Sequence, residues 1–345
     1  MKVQVAFALS ALALVGCRQA KPFAEKVADN EEYIFKTMEN SFPKLRKIGA
    51  VSPNGECSPF VWKGRLMRME LSDPTGALDA DDPRVCIRIL DTETGNVLST
   101  FGRDCYYPAA FVDGERLLVT ATKRTYWLRG ETDPTSHCGE SISLFESTDL
   151  VHWTERTLFA RPGWAFFNTS LARGPDGYVL AYECGFLENA QNFTIFFAKS
   201  KDLKDWTFLP YDWAFPKNRY SGGPFLVHRN GWYYLSIVTE LPCERYCQYL
   251  FRTRDFEKWE CGRYNPFVMW DDADRTVAPG AVGISPELAR SVRTHFVCSA
   301  SDFEMCDFNG KAYVNYLIGD QRGFYYTVGA WYDGSVQEFL ERQFK

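Results

Sequence analysis

Three stretches of this chain are near copies of one another: Phe145 to Glu155 (FESTDLVHWTE), Phe197 to Phe208 (FAKSKDLKDWTF) and Phe251 to Glu260 (FRTRDFEKWE). Each leaves an apolar strand, crosses a polar pair to an Asp, and closes on a Trp, giving Asp149 and Trp153, Asp202 and Trp206, Asp255 and Trp259. An Asp at the head of a turn accepts hydrogen bonds from the backbone amides just downstream, while a Trp beyond it covers the turn against a sheet. A device used repeatedly in equivalent places marks a repeated supersecondary unit, and so confines the chain to folds assembled from copies.

A second pattern precedes these turns: a short strand, a turn with Gly, then an aromatic-rich strand. Its copies are Pro59 to Glu70, Pro108 to Thr122, Ser170 to Glu183, Pro224 to Glu240 and Phe303 to Gly319. Their turns, Lys63-Gly64, Asp113-Gly114, Asp176-Gly177, Asn230-Gly231 and Asn309-Gly310, are mostly dipeptides that favour tight hairpins. Each hairpin is followed by a further strand pair, over Val85 to Phe101, Ile142 to Leu158, Phe193 to Leu209, Tyr249 to Gly262 and Tyr325 to Phe339. Five four-stranded units predict an all-β, five-bladed β-propeller with antiparallel blades, because one such sheet buries both faces only when neighbours pack around a ring. The blades are expected at about 51–103, 104–160, 161–215, 216–265 and 295–345, with an insertion at 266–294 in which Ser285-Pro286-Glu287 opens a helix.

Lys2 and the apolar stretch Val5 to Val15 suit a secretory leader and are too short for a bilayer span of roughly 20 residues. The stretch ends in Leu14-Val15-Gly16-Cys17, which resembles a bacterial lipobox. Residues 1–16 are thus expected to be removed, Cys17 lipidated, and residues 17–50 to form a tether with a short helix. The expected location is the bacterial cell envelope, with membrane contact through the lipid alone. All cysteines but Cys17, out of 11, remain in the mature chain. Cys243 and Cys247, four apart in a loop-like stretch, are candidates for a local bridge, with buried free thiols as the alternative. A balance of 39 Lys+Arg against 44 Asp+Glu, net −5 and without a basic run, argues against nucleic acid as a partner. A monomer is expected. With 4 His and no CxxC pair, no catalytic metal or other cofactor is expected. Asp271-Asp272-Ala273-Asp274 gathers acids for a structural calcium ion but lacks the ligand spacing of a calcium loop.

The S-x-D-L-x-x-W turn after a G-x-Y-Y-L hairpin resembles the five-bladed propeller glycoside hydrolases, the group of arabinanases, xylosidases and invertase-like enzymes, over roughly Val51 to Phe344. The resemblance implies a carbohydrate substrate and a central funnel where carboxyl groups hydrolyse a glycosidic bond. Such hydrolysis uses one carboxyl to protonate the leaving oxygen and another as base or nucleophile. In a propeller, the opening of a blade's first strand and the end of its second lie on one face. Openings nominate Glu56, Asp104, Asn168 and Asp302, and second-strand ends nominate Glu70, Glu183, Glu240 and Asp320.

Glu183 is the expected general acid, since Tyr182-Glu183-Cys184-Gly185 closes an apolar strand where burial raises a carboxyl pKa. Glu56, opening the first blade where the resemblance places a carboxylate, is the expected base or nucleophile, with Asp104 holding or tuning the acid. Glu70, Asn168, Glu240, Asp302 and Asp320 are expected to line the substrate site, and Tyr107 and Tyr220 to stack on sugar rings. The chain departs from the arabinanase-like pattern at the third opening, where Asn168-Thr169-Ser170 carries no acid. Ser52-Pro53-Asn54-Gly55 is similar to the invertase-like Asp-Pro-Asn-Gly, with Ser52 in the nucleophile's place. A glycan-binding propeller without catalysis is therefore the alternative expectation.

Overall fold

The computed structural model describes residues 42–73, 85–123, 139–185 and 193–345. The expected leader, lipidation at Cys17 and N-terminal helix fall outside these residues. The chain begins its sheets with β1 (Arg46–Ser52). A first blade follows, made of β2 (Ser58–Trp62), β3 (Arg65–Ser72), β4 (Cys86–Asp91) and β5 (Val97–Phe101), and a second of β6 (Cys105–Asp113), β7 (Arg116–Lys123), β8 (Ser141–Ser147) and β9 (Thr154–Ala160). The third blade is β10 (Ala165–Gly174), β11 (Gly177–Gly185), β12 (Thr194–Ser200) and β13 (Thr207–Phe208). The fourth is β14 (Ser221–Arg229), β15 (Trp232–Leu241), β16 (Arg245–Thr253) and β17 (Trp259–Cys261). The fifth starts with β18 (Ser299–Phe308), β19 (Lys311–Gly319) and β20 (Tyr325–Tyr332), and its outer strand is β1, antiparallel to β20. One parallel bridge, Tyr246 to Ser299, joins the fourth and fifth blades.

The propeller thus closes by pairing its two chain ends, and two boundaries differ from the sequence expectation. The ring begins at Arg46, not at 51, because β1 fills the last blade's vacant slot. The strand expected to run to Phe339 stops at Tyr332, and α2 (Val336–Arg342) follows, after α1 (Pro286–Thr294) in the insertion. Ser335 and Glu338 form a capping box at its start, and the helix buries Val336, Phe339 and Leu340.

Cores lie between neighbouring sheets: Phe60, Met67, Met69, Ile87 and Ile89 of the first blade pack on Leu117, Val119 and Ala121 of the second. Lys63-Gly64, Asn230-Gly231 and Asn309-Gly310 carry two consecutive positive φ angles each, the requirement of a type I′ hairpin turn. In the repeated turns, Asp149 accepts from the amides of Val151 and His152 (both 2.8 Å), Asp202 from Lys204 (2.8 Å) and Asp205 (3.1 Å), and Asp255 from Glu257 (2.9 Å) and Lys258 (2.8 Å). Trp206 and Trp259 donate back to the carbonyls of Leu203 and Phe256, whereas Trp153 reaches Ser99 of the preceding blade.

Cys243 and Cys247 are not bridged. The first is exposed at a positive-φ turn and the second is buried on β16 facing Thr239, which separates their side chains. Asp271 and Asp274 are tied to the Lys47 ammonium at 2.8 and 2.7 Å.

Candidate functional site

The innermost strand of the second to fifth blades carries one extra residue relative to its partner. The register breaks between Tyr106 and Ala109, Phe166 and Thr169, Gly222 and Phe225, and Ser301 and Glu304. In the first blade Glu56 holds the same place, two residues ahead of Ser58. Such a bulge re-aims a side chain that strand alternation would send elsewhere. Glu56, Tyr107, Gly223 and Asp302 sit at φ of 50, 54, 51 and 50°, in the left-handed region that costs a non-glycine residue free energy. All four line one cavity at the centre of the ring, together with Asn168 and Glu304.

Four carboxyls meet around this cavity. Glu56, Asp302 and Glu304 line it, while Glu183 on β11, 3% exposed, lies behind against the Gly222-Gly223 backbone. The Gly223 amide donates to Glu183 Oε2 at 3.0 Å. A Cβ on Gly222 would stand 2.9 Å from Glu183 Oε1, and one on Gly223 would stand 2.6 Å from Asp302 Oδ1, so two glycines are needed for the acids to approach. Asn168 Nδ2 donates to Asp302 Oδ1 at 3.1 Å and Ser301 Oγ to Asp302 Oδ2 at 2.6 Å.

Among the described residues no ion pair reaches any of the four, so no opposite charge offsets their burial. Burial pushes Glu183 up to about 8, against the stabilising amides of Gly223 and Asn168. Burial likewise pushes Glu304 up to about 8. Glu56 is raised well above the usual range by burial and then by the charges of Asp302, Glu183 and Glu304. Asp302 is raised by burial, and the Ser301 hydroxyl opposes the rise.

The structure thus brings together Glu56, Glu183, Asp302, Asn168 and Tyr107 from the residues nominated by sequence. Asp104 stands three residues before the bulge, and Tyr107 occupies the second blade's place instead. Glu70 is fully buried and bound by Arg68, Arg88, Ser52 and Asn54, away from the cavity. Glu240 is exposed, and its strand carries Ile237 at the position matching Glu183. Asp320 caps a turn through the amides of Arg322 (2.8 Å) and Phe324 (3.0 Å) and pairs with His295 at 2.9 Å. Tyr220 joins a run of half-exposed rings, Tyr107–Phe167–Phe193–Tyr220–Tyr246, with centroid spacings of 5.8, 5.0, 5.2 and 5.6 Å. Glu304 was not nominated by sequence, although it lies two residues from Asp302; the Gly222-Gly223 pair was a second unread signal of close approach. Among the described residues no three His, Cys, Asp or Glu side chains are arranged to hold a metal ion.

No family model matches the chain, and no curated protein matches it. Solved structures do. The chain is similar to the Bombyx mori GH32 beta-fructofuranosidase BmSUC1, with 14% identity, 89% of this chain and 66% of that one covered, and a TM-score of 0.52. It is similar to the GH43 protein BlXynB from Bacillus licheniformis (13% identity, 83% of this chain and 54% of that one, TM-score 0.52). A thermostable family-43 glycoside hydrolase shares 16% identity over 82% of this chain and 90% of that one, with a TM-score of 0.52. The chain therefore spans about two thirds of the length of the first and about half of the second. The five-bladed propeller fold of these glycoside hydrolases is the fold of this protein.

Proposed function

We propose that the protein hydrolyses glycosidic bonds of a poly- or oligosaccharide, with Glu56 as general acid and Asp302 as base or nucleophile. The observation that carries this reading is the unequal treatment of the two cavity-lining bulge carboxyls. Asp302 receives hydrogen bonds from Asn168 and Ser301, which favour its ionised form. Among the described residues none donates to Glu56, whose proton is retained by burial and by three neighbouring acids. Environments that push two carboxyls apart in this way assign acid and base. Glu56 gives its proton to the glycosidic oxygen as the bond to the anomeric carbon breaks. Asp302 attacks that carbon or takes the proton of the water that does. Glu183, expected from sequence to be the acid, is a positioning carboxyl in this scheme, because its position behind the glycine pair keeps substrate from it.

The fold's neighbours are glycoside hydrolases, which supports the reaction class, and the ring run from Tyr107 to Tyr246 supplies faces for sugars. Leu14-Val15-Gly16-Cys17 supports export and lipid anchoring in a bacterial envelope; among the described residues no helix is long and apolar enough to cross a membrane. A glycan-binding protein without turnover is the second reading, favoured by Asn168 and Gly223, which leave the third- and fourth-blade openings without an acid.

The test is reducing-sugar release across a polysaccharide panel. Glu56→Gln and Asp302→Asn are each expected to lower release by about 100-fold or more. Release unchanged in both variants would overturn the assignment, and retention of a glycan on an affinity gel without release would establish the second reading.

A further inference from the structure

Glu56 and Tyr107 line not one cavity but two. Beside the first, a larger space opens that Asp302 does not line, walled by Leu71 near the end of β3, Leu317 on β19, and Phe324 and Tyr325 where β20 begins. Gly55 forms its floor: a Cβ there would stand 3.4 Å from both Leu317 and the Tyr325 ring, so its absence leaves apolar surface open. The polar side chains on this wall are Ser299, Gln321 and the tyrosines Tyr106, Tyr107 and Tyr325, and Gln321 Nε2 donates to Ser299 Oγ at 2.9 Å. Among the described residues the wall carries no charged side chain apart from Glu56.

A sugar ring placed here would bring hydroxyls on nearly every carbon against Leu71, Leu317 and Phe324, which offer them no partner, and would lose bonds to water there. A flat apolar ring has the opposite balance, gaining burial against Leu317 and Phe324 at no polar cost. We infer that this cavity receives an aromatic leaving group, so that the substrate class is an aryl glycoside with its sugar in the carboxyl chamber and its aromatic ring here. The inference rests on the hydrolase reading above and deepens it. Glu56 stands on the wall shared by the two spaces, where the oxygen joining sugar to ring would lie, which is the place an acid must occupy to protonate that oxygen as the bond breaks.

The experiment uses 4-methylumbelliferone, an aromatic leaving group without sugar, observed by saturation-transfer NMR on the whole protein, so that it reads the cavity whether or not turnover occurs. Leu317→Glu and Phe324→Ala are each expected to weaken binding by about tenfold or more, since each removes an apolar contact face. Phe324 is half-exposed and keeps the test valid should Leu317→Glu fail to fold, which thermal melting reports. In parallel, the ratio of kcat/KM for an aryl glycoside to that for the methyl glycoside of the same sugar is expected to fall in both variants. Absence of probe binding to the unaltered protein, or binding unchanged in both variants, overturns the inference. Probe binding that follows the expected pattern without cleavage of any glycoside retains the aromatic site and removes the hydrolase reading instead.

Discussion

Glu70 in the first blade and Glu183 in the third occupy the same place in the architecture. Each follows the residue that pairs with the innermost strand just past the bulge position, Met69 opposite Ser58 and Tyr182 opposite Thr169. Both are buried, at 0% and 3% exposure. Burial by itself would raise both pKa values, yet Glu70 is held below the usual carboxylate range because Arg68 at 3.1 Å and Arg88 at 2.6 Å face it, with Ser52 and Asn54 donating as well. Among the described residues Glu183 has amides and no cation beside it, and it rises to about 8. The repeat therefore provides a buried carboxyl at one site in each of two blades, and the supply of cations decides whether it is a structural anion or a group of raised pKa beside the central cavity.

The largest expected effect follows from breaking the first of these. Glu70→Gln would leave the Arg68 guanidinium, 6% exposed, without its counter-charge, at a cost of about 3–5 kcal/mol in unfolding free energy. Glu183→Gln replaces a largely neutral carboxyl with a neutral amide of the same shape and is expected to change stability by less than about 1 kcal/mol. Urea unfolding of the two variants at pH 7 measures both, and equal losses would dissolve the contrast.

The pH dependence sharpens it. Glu183, raised from 4.5 to about 8, keeps in the folded state a proton that the unfolded chain releases, so its contribution is full below about 4.5 and is lost as pH rises toward 8. Glu70 has the opposite sign: its contribution is present above 4.5 and is lost as pH falls through its lowered folded value. Unfolding midpoints between pH 4 and 9 are expected to decline on the alkaline side in the unaltered protein and to decline less in Glu183→Gln. A flat alkaline limb in the unaltered protein would mean that the cluster is ionised at no cost.

This contrast also marks where the sequence was readable. The Asp–Trp turns and the Gly hairpins are local devices whose partners lie within a few residues, so the blade repeat and the five-unit ring follow from inspection. The closure of β1 on β20 joins residues from opposite ends of the chain, and nothing local in Arg46–Ser52 announces it. The site was legible in part for the same reason. Glu56, Glu183 and Asp302 were nominated by their position in a blade, but their roles depend on contacts across blades: Gly223 of the fourth on Glu183 of the third, and Asn168 of the third on Asp302 of the fifth. Glu70, nominated for the substrate site, is buried against Arg68 and Arg88, and Arg68 lies two residues away on the same strand face, a pairing that alternation alone makes visible.

The turn aspartates provide a third way of holding a carboxylate, and the smallest effect. Asp255 is exposed, and its pKa is lowered chiefly by the Lys258 amide, with the Glu257 amide and the Thr253 hydroxyl adding to it against the cost of burial. Asp255→Ala removes an acceptor from two amides that water can reach, so the expected loss is about 1 kcal/mol, as for a helix cap. Asp255→Asn is expected to recover most of it, because an amide oxygen still accepts both bonds. Thermal melting of the pair separates the acceptor from the charge. If Asn recovers the loss, charge is incidental at the turns, decisive at Glu70, and suppressed at Glu183, which orders the three environments by what surrounds the carboxyl. A loss in Asp255→Ala as large as that in Glu70→Gln would break that order, since exposed backbone amides would then hold a carboxylate as firmly as two guanidinium groups, one of them buried.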